Sequence, residues 1–137
     1  MKDMDTNDLT YQIIGAAYEV SKNLGRFLYE EAYEEALQCE LKLRGISSER
    51  QVYLPVMYKG IKLEKSYRMD LVVENQICVE LKAMENMSGK EVRQILSYLS
   101  FSSFKKGLLI NFGAEDFSVG HFSGNNILAK GIYRFVK

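Results

Sequence analysis

The chain has 137 residues, of which 47% are hydrophobic and 26% are charged, and its 18 basic residues balance its 18 acidic ones. This composition is typical of a globular protein and excludes a disordered or low-complexity chain, so we treat residues 1–137 as one domain. Zero net charge excludes the basic surplus that many DNA-binding domains carry, so a nucleic-acid role would depend on local charge.

The chain begins without a signal peptide, and no apolar run reaches the ~18 residues that a membrane span requires. We therefore predict a cytoplasmic protein without membrane contact. The two cysteines, Cys39 and Cys78, lie in apolar stretches without disulfide or metal-ligand spacing. We expect both to be reduced and buried.

Two helices are predicted in the first third of the chain. Apolar side chains recur at helical spacing over residues 6–24, and Gly25 can end this helix in the left-handed conformation. A second helix is predicted over residues 29–44, with Tyr33 and Leu37 on its inward face.

Beyond residue 45 the apolar period changes from about 3.6 to 2, which predicts strands. Apart from one further helix that Ser88 caps, the rest of the chain is predicted as strands and a polar loop. The predicted elements are strands at 52–57 and 61–63, a hairpin at 67–83, a helix at 88–104, a strand at 107–112, a polar loop and a strand at 132–136. This order predicts an α/β domain with a mixed sheet.

The hairpin, YRMDLVVENQICVELKA, carries charged side chains among apolar ones. A three-residue turn, Glu74–Gln76, places Asp70 opposite Glu80, with Lys82 on the same face because side chains alternate along a strand. The other face then carries only apolar side chains, namely Met69, Leu71, Val79 and Leu81. An even-length turn would mix the two faces, so we predict the odd one.

Two opposed carboxylates repel each other, and the repulsion grows with burial. A divalent cation between Asp70 and Glu80 would turn this repulsion into affinity, since Mg²⁺ and Mn²⁺ prefer oxygen ligands. The alternative is an exposed charge ladder, in which Asp70 pairs with Lys82 and Arg68 pairs with Glu80. Spacing alone leaves both interpretations open.

Asp70, followed by the ELK of residues 80–82, resembles the D…(D/E)xK signature of the PD-(D/E)xK nuclease superfamily. Gln94 and Tyr98 match the QxxxY motif that RecB-type members place on the helix after this strand. These two side chains share a helix face, so a hydrogen-bonded core pair explains them equally well.

Residues 24–37, LGRFLYEEAYEEAL, resemble the hallmark of the GxxExxY branch of that superfamily, with Glu30 and Tyr33 in the motif positions. Four later stretches also resemble this branch, in the same order: QVYLPVMYKGIKL, SYRMDLVVE, VELKA and GLLINFG. Phe27 stands where the hallmark has Gly, so we expect the turn before Glu30 to be reshaped. An ordinary acidic residue at a helix N-terminus is the alternative for Glu30.

The resemblance implies a restriction-endonuclease-like fold of three layers, with a mixed four-stranded sheet between helices and an extra short N-terminal helix and strands. It implies Mg²⁺ or Mn²⁺ held by Asp70, Glu80 and the Leu81 carbonyl. Lys82 would be the catalytic lysine, and Glu30 would approach the metal or its water from the second helix. The supporting residues would be Gln94, Tyr98 and Tyr33.

The implied reaction is hydrolysis of phosphodiester bonds in DNA, or in RNA. Local basic side chains could contact a nucleic-acid backbone. They are Lys59, Lys62, Lys65, Arg68, Lys90, Arg93, Lys105 and Lys106. The alternative is a weakly active or inactive nuclease fold that serves as a nucleic-acid or protein interaction module. A third hypothesis is a homo-oligomer that pairs through a Tyr-rich surface.

Overall fold

The computed structural model describes residues 6–124 and 127–137. Within them lie three helices, α1 (Thr6–Leu24), α2 (Glu30–Leu43) and α3 (Gly89–Ser100). The strands are β1 (Ser48–Tyr58), β2 (Ile61–Val73), β3 (Ile77–Lys82), β4 (Met87–Ser88), β5 (Lys106–Asn111), β6 (Asp116–Gly120), β7 (Ile127–Leu128) and β8 (Lys130–Val136).

Six strands form one mixed sheet in the order β1-β2-β3-β5-β8-β6, and β4 pairs with β7. Strands β1, β2 and β3 are successively antiparallel, whereas β3 and β5 run parallel. A parallel step requires a crossover connection, which here contains α3. Strand β3 therefore lies inside the sheet, with β2 and β5 as its neighbours.

Helices cover both faces of the sheet. On one face, α1 and α2 pack against the first core cluster, which includes Leu71, Val79 and Leu81 of the hairpin. On the other face, α3 packs through Ile95 and Leu99 into a second cluster. This three-layer arrangement confirms the predicted restriction-endonuclease-like class, although the sheet has six strands and not four. The N-terminal helix is also not short, since α1 has 19 residues.

The predicted hairpin turn is confirmed. Val73 pairs with Ile77 and Leu71 pairs with Val79, which leaves a three-residue turn. Glu74 and Asn75 adopt left-handed backbone conformations there, with φ of 51° and 55°. The sorting of side chains between the faces predicted this register, because a slip of one residue would move the whole apolar set to the other face.

One part of the predicted face assignment is wrong. Met69 lies in the second core cluster, whereas Leu71 and Leu81 lie in the first. The break in alternation lies opposite Gln51 of β1, which has φ of 56° between the pairs Arg50–Leu71 and Val52–Met69.

The structure differs from the sequence prediction at several other places. The strand predicted at 61–63 and the first strand of the hairpin form one continuous strand, β2. Helix α3 ends at Ser100, four residues before its predicted end. Strands β6 and β7 form within the predicted polar loop. Residues 125 and 126 of that loop lie outside the described part. Cys39 is exposed and not buried, because it follows Glu35 by one turn on the solvent side of α2. Cys78 is buried as predicted. No helix in the described ranges has both the length and the apolar character needed to cross a bilayer.

Candidate active site

The carboxylate of Asp70 bridges the two strands of the hairpin beyond their last paired residues. Its Oδ2 accepts a hydrogen bond of 2.8 Å from the backbone N–H of Leu81. Leu81 itself points into the first core cluster, so its neighbours Glu80 and Lys82 lie on the opposite face of β3. The hairpin thus holds Asp70 beside the end of β3, from which both of these charged side chains project.

Glu80 is the most deeply buried acid of this group, with only 2% of its surface exposed. Its Oε2 lies 3.4 Å from the Nζ of Lys82, while its Oε1 has no hydrogen-bond partner among the described residues. The alternative of an exposed charge ladder is therefore wrong, since Glu80 is inside the protein and pairs with Lys82 and not with Arg68. A buried carboxylate oxygen without a partner is costly.

The two hairpin carboxyl groups have perturbed pKa values. Burial, followed by the nearby charge of Asp70, raises the pKa of Glu80 to about 8, although Lys82 acts in the opposite direction. Burial also raises the pKa of Asp70, and the hydrogen bond from the Leu81 amide offsets part of this effect. Without a cation, burial and mutual repulsion therefore favour a pair that retains a proton at neutral pH.

Glu30, the first residue of α2, is exposed but within electrostatic range of the hairpin. Partial burial raises its pKa, Lys82 lowers it and Asp70 raises it further. The structure therefore brings Glu30 towards the two hairpin groups, as expected if it contributes to the same site. Glu30 is also an acidic residue at a helix N-terminus, so the alternative stays open.

Sequence analysis missed Glu34, one turn after Glu30. Glu34 is buried, and its carboxylate accepts hydrogen bonds from the Arg50 Nε at 3.0 Å and from the Gln51 Nε2 at 2.9 Å. Its charge raises the pKa of Asp70, so it belongs to the electrostatic surroundings of the site. Its position on the same inward face as Tyr33 and Leu37 is the sequence feature that could have predicted its burial.

Gln94 and Tyr98 connect α3 to the strand that carries Asp70. The Gln94 Nε2 donates to the Tyr98 hydroxyl at 2.9 Å, and this hydroxyl donates to the Arg68 carbonyl at 3.1 Å. Burial raises the pKa of Tyr98, and the charge of Glu80 raises it further. The pair therefore fixes β2 two residues before Asp70 and places a neutral phenol near Glu80.

Tyr33 stabilises the turn between α1 and α2 from the inside. Its ring is buried against Phe112, at a centroid distance of 4.6 Å. Its hydroxyl donates to the Gly25 carbonyl at 2.7 Å and accepts from the Leu28 amide at 3.1 Å. Gly25 supplies the left-handed conformation of this turn, with φ of 73°, and Phe27 is outside that region. Phe at this position is therefore accommodated without backbone strain.

The segment that follows β3 is fixed by a buried amide side chain, which sequence analysis also missed. The Oδ1 of Asn111 accepts from the Met84 amide at 3.0 Å and from the Gly113 amide at 3.1 Å, while its Nδ2 donates to the Met84 carbonyl at 2.8 Å. The amide of Phe112 donates to the Lys82 carbonyl at 2.9 Å. These bonds hold the end of β3 against β5. The only sequence signal was one polar residue within the apolar run GLLINF.

The donor set fits a divalent cation in part. Two carboxylates, one with an unpartnered oxygen, are the hard ligands that Mg²⁺ or Mn²⁺ prefers. However, no group of three or more His, Cys, Asp or Glu side chains converges on one point within the described residues. A cation bound here would therefore depend on Asp70 and Glu80, completed by backbone oxygen and water. The basic side chains predicted to contact nucleic acid are exposed, apart from a half-buried Lys106.

The raised pKa of Glu80 predicts how the stability of the metal-free protein depends on pH. Folded Glu80 titrates near pH 8 and unfolded Glu80 near 4.5, so folding takes up a proton between these values. In the presence of a chelator, the free energy of unfolding should therefore fall as the pH rises through this interval. Urea denaturation of Glu80→Gln, which cannot ionise, should show a smaller fall. Equal pH profiles for wild type and variant would contradict this prediction.

Comparison with known proteins supports the same conclusion as the geometry. No match is found among curated proteins or among solved structures. The model of one protein family, described as the PD-(D/E)XK nuclease superfamily, matches residues 7–121, a range that contains the hairpin carboxylates, Lys82 and the helices on both sides of the sheet. The chain therefore belongs to the PD-(D/E)XK nuclease superfamily.

Proposed function

We propose that the protein is a divalent-metal-dependent nuclease of the GxxExxY branch, which hydrolyses phosphodiester bonds in DNA or RNA. One observation carries the proposal: Glu80 is buried with an unpartnered oxygen, between Asp70 and Lys82. A purely structural carboxyl would have its hydrogen bonds satisfied. A carboxyl that serves as a metal ligand would have such an unpartnered oxygen when no metal is bound.

In the proposed mechanism, Asp70, Glu80 and the Leu81 carbonyl would hold Mg²⁺ or Mn²⁺. A bound cation of this kind would lower the pKa of its water and neutralise charge on the phosphate. The hydrogen bond from the Leu81 amide orients the Asp70 carboxylate. Glu80 would act as a ligand in its ionised form.

Lys82 has the position of a catalytic group in this site. Its ammonium group lies beside Glu80 and remains half-buried, so it can approach a phosphate without full solvation. An ammonium group at this position can orient the attacking water or stabilise the negative charge that develops on the phosphate oxygens. Glu30 would accept a hydrogen bond from that water on the side of α2. Gln94, Tyr98 and Tyr33 act as positioning residues.

The second candidate function is a nuclease fold without hydrolytic activity, which binds nucleic acid or a protein. The specific observation in its favour is that only two carboxylates meet in the hairpin, without a third His, Cys, Asp or Glu among the described residues. Zero net charge points in the same direction, since it predicts weak binding to a phosphate backbone. Metal affinity separates the two candidates.

The test is calorimetric titration with Mn²⁺ of the wild type, Asp70→Asn and the control Asp116→Asn, an exposed residue on β6 that pairs with Lys130. The same samples would be incubated with labelled single- and double-stranded oligonucleotides. We expect the wild type and Asp116→Asn to bind Mn²⁺ and cleave, and Asp70→Asn to lose both properties. If the wild type binds no Mn²⁺ and releases no product, the nuclease proposal is wrong and the binding module remains.

A further inference from the structure

A groove lies beside the candidate site. It has a volume of about 440 Å³ and is lined by residues 26–29, which precede α2, by residues 83–85, which follow β3, and by Gly113. Each of the first two segments directly adjoins a candidate site residue along the chain, since Tyr29 precedes Glu30 and Ala83 follows Lys82. Tyr29 and Ala83 also line a second cavity, together with Glu30. The groove therefore lies next to Glu30.

Two aromatic side chains at this groove are almost fully exposed to solvent. Phe27 is 86% exposed and Tyr29 is 87% exposed. Exposed aromatic rings contribute no burial energy to folding. Two of them together beside a candidate site therefore indicate a binding surface. The hydrogen bonds of Tyr33 to Gly25 and Leu28 hold the segment that carries them. The aromatic rings thus project from a fixed turn.

The groove carries one basic side chain, Arg26, and one acidic side chain, Glu85. The Arg26 guanidinium lies 5.0 Å from the centre of the Phe27 ring, in a cation–π contact, and 4.0 Å from the Glu115 carboxylate. Glu115 is exposed and its ion pair with Arg26 is long, so the guanidinium can approach a phosphate at little cost. A positive charge beside exposed aromatic rings is the arrangement by which proteins bind unpaired nucleotides.

The opposite wall of the groove is rigid. Asn111 binds both backbone polar groups of Met84. Gly113 packs directly against this segment, because a Cβ atom there would lie 2.5 Å from the Met84 carbonyl oxygen. The wall therefore keeps its shape when a ligand enters, which lowers the entropic cost of binding.

We propose that this groove binds an unpaired nucleobase next to the phosphate that is cleaved. The base stacks on Tyr29 and Phe27, while Arg26 contacts a neighbouring phosphate. The preferred substrates are then single strands and unpaired ends, because an intact duplex keeps its bases stacked inside and cannot offer one to the groove. This inference rests on the proposed nuclease function and names its substrate class.

The experiment measures binding of fluorescein-labelled single-stranded and duplex oligonucleotides of one sequence, with chelator present so that no cleavage occurs. The proteins are the wild type, Phe27→Ala, Tyr29→Ala and the control Tyr11→Ala, which removes a ring of similar exposure (76%) from α1. We expect each groove variant to weaken single-strand binding by at least about fivefold. Tyr11→Ala should leave it unchanged, and duplex binding should be weaker throughout.

A single-stranded probe with one 2-aminopurine tests stacking directly, because the fluorescence of this base is quenched when it stacks on an aromatic ring. Wild type should quench the probe and Tyr29→Ala should not. If the groove variants bind single strands as tightly as Tyr11→Ala does, the inference is overturned. It is also overturned if light scattering shows a dimer that Tyr29→Ala dissociates, since a second copy would then occupy the groove.

The outcome separates this inference from the proposed function. Cleavage of single strands and duplexes at equal rates, unaffected by Tyr29→Ala, would overturn the base-binding groove and leave the nuclease intact. Single-strand binding that depends on Tyr29, without any cleavage in Mn²⁺, would overturn the nuclease and support the groove as a binding site.

Discussion

Replacing Lys82 with alanine is expected to slow phosphodiester cleavage by about 10²–10³-fold, the usual cost of removing one group that stabilises charge in a transition state. Well above pH 8, where Glu80 is ionised, Mn²⁺ affinity should be unchanged or higher, because the substitution removes a positive charge that lies 3.4 Å from Glu80, a proposed ligand. Single-turnover cleavage and calorimetry on the same preparation measure the two effects. Lys90→Ala removes an exposed lysine of α3 that is predicted to contact only the nucleic-acid backbone, and it serves as the comparison.

An indirect effect through Glu80 must be separated from a direct role of Lys82. Lys82 lowers the pKa of Glu80, so its removal raises that pKa further and leaves more of the carboxyl protonated at neutral pH. Cleavage is therefore measured at neutral pH and again well above pH 8. Activity that returns fully at the higher pH would show that Lys82 acts only through Glu80. Equal losses in Lys82→Ala and Lys90→Ala would contradict a specific role.

The second large effect is expected for Asn111→Leu. The substitution keeps the volume of the side chain but leaves the amides of Met84 and Gly113 and the carbonyl of Met84 without their partner. Each buried group left unpaired costs roughly 1–3 kcal/mol, so the free energy of unfolding should fall by about 3 kcal/mol or more. Urea denaturation measures this loss. Asn23→Leu, at an exposed position on α1, should stay close to wild type.

Activity provides a second readout for Asn111. The amide side chain fixes the segment after Lys82, so folded Asn111→Leu should cleave more slowly even at low temperature, where most molecules are native. Gly113→Ala perturbs the same segment by a different route, since its Cβ would lie 2.5 Å and 2.6 Å from backbone atoms of Met84. Wild-type stability in both variants would mean that this contact does not support the end of β3.

The hairpin could be predicted from sequence because one physical requirement decided it. Only the three-residue turn placed the apolar set on one face, and the observed pairs Val73–Ile77 and Leu71–Val79 confirm it. The helices were equally predictable from apolar spacing and from residues that end them. Edge strand β6 was missed because its sequence, DFSVG, is only five residues long and partly buried, which is too short for its alternation to stand out.

The missed polar residues depend on tertiary contacts that no local pattern encodes. Glu34 lies between Glu31 and Glu35, which are exposed, and it is buried only because Arg50 and Gln51 approach from β1. Gln51 reaches it from a left-handed backbone conformation that sequence gives no reason to expect. Asn111 is likewise recognisable only once the segment after β3 is seen beside it.

The interior position of β3 has a consequence for how the protein is made. Strand β3 is covered on one side by β5, which emerges some 30 residues later, and β5 is covered in turn by β8. A nascent chain that stops before β8 would leave apolar strand edges open and the carboxylates of the hairpin unsupported. The order of synthesis therefore delays completion of the sheet around the candidate site until β8 has left the ribosome.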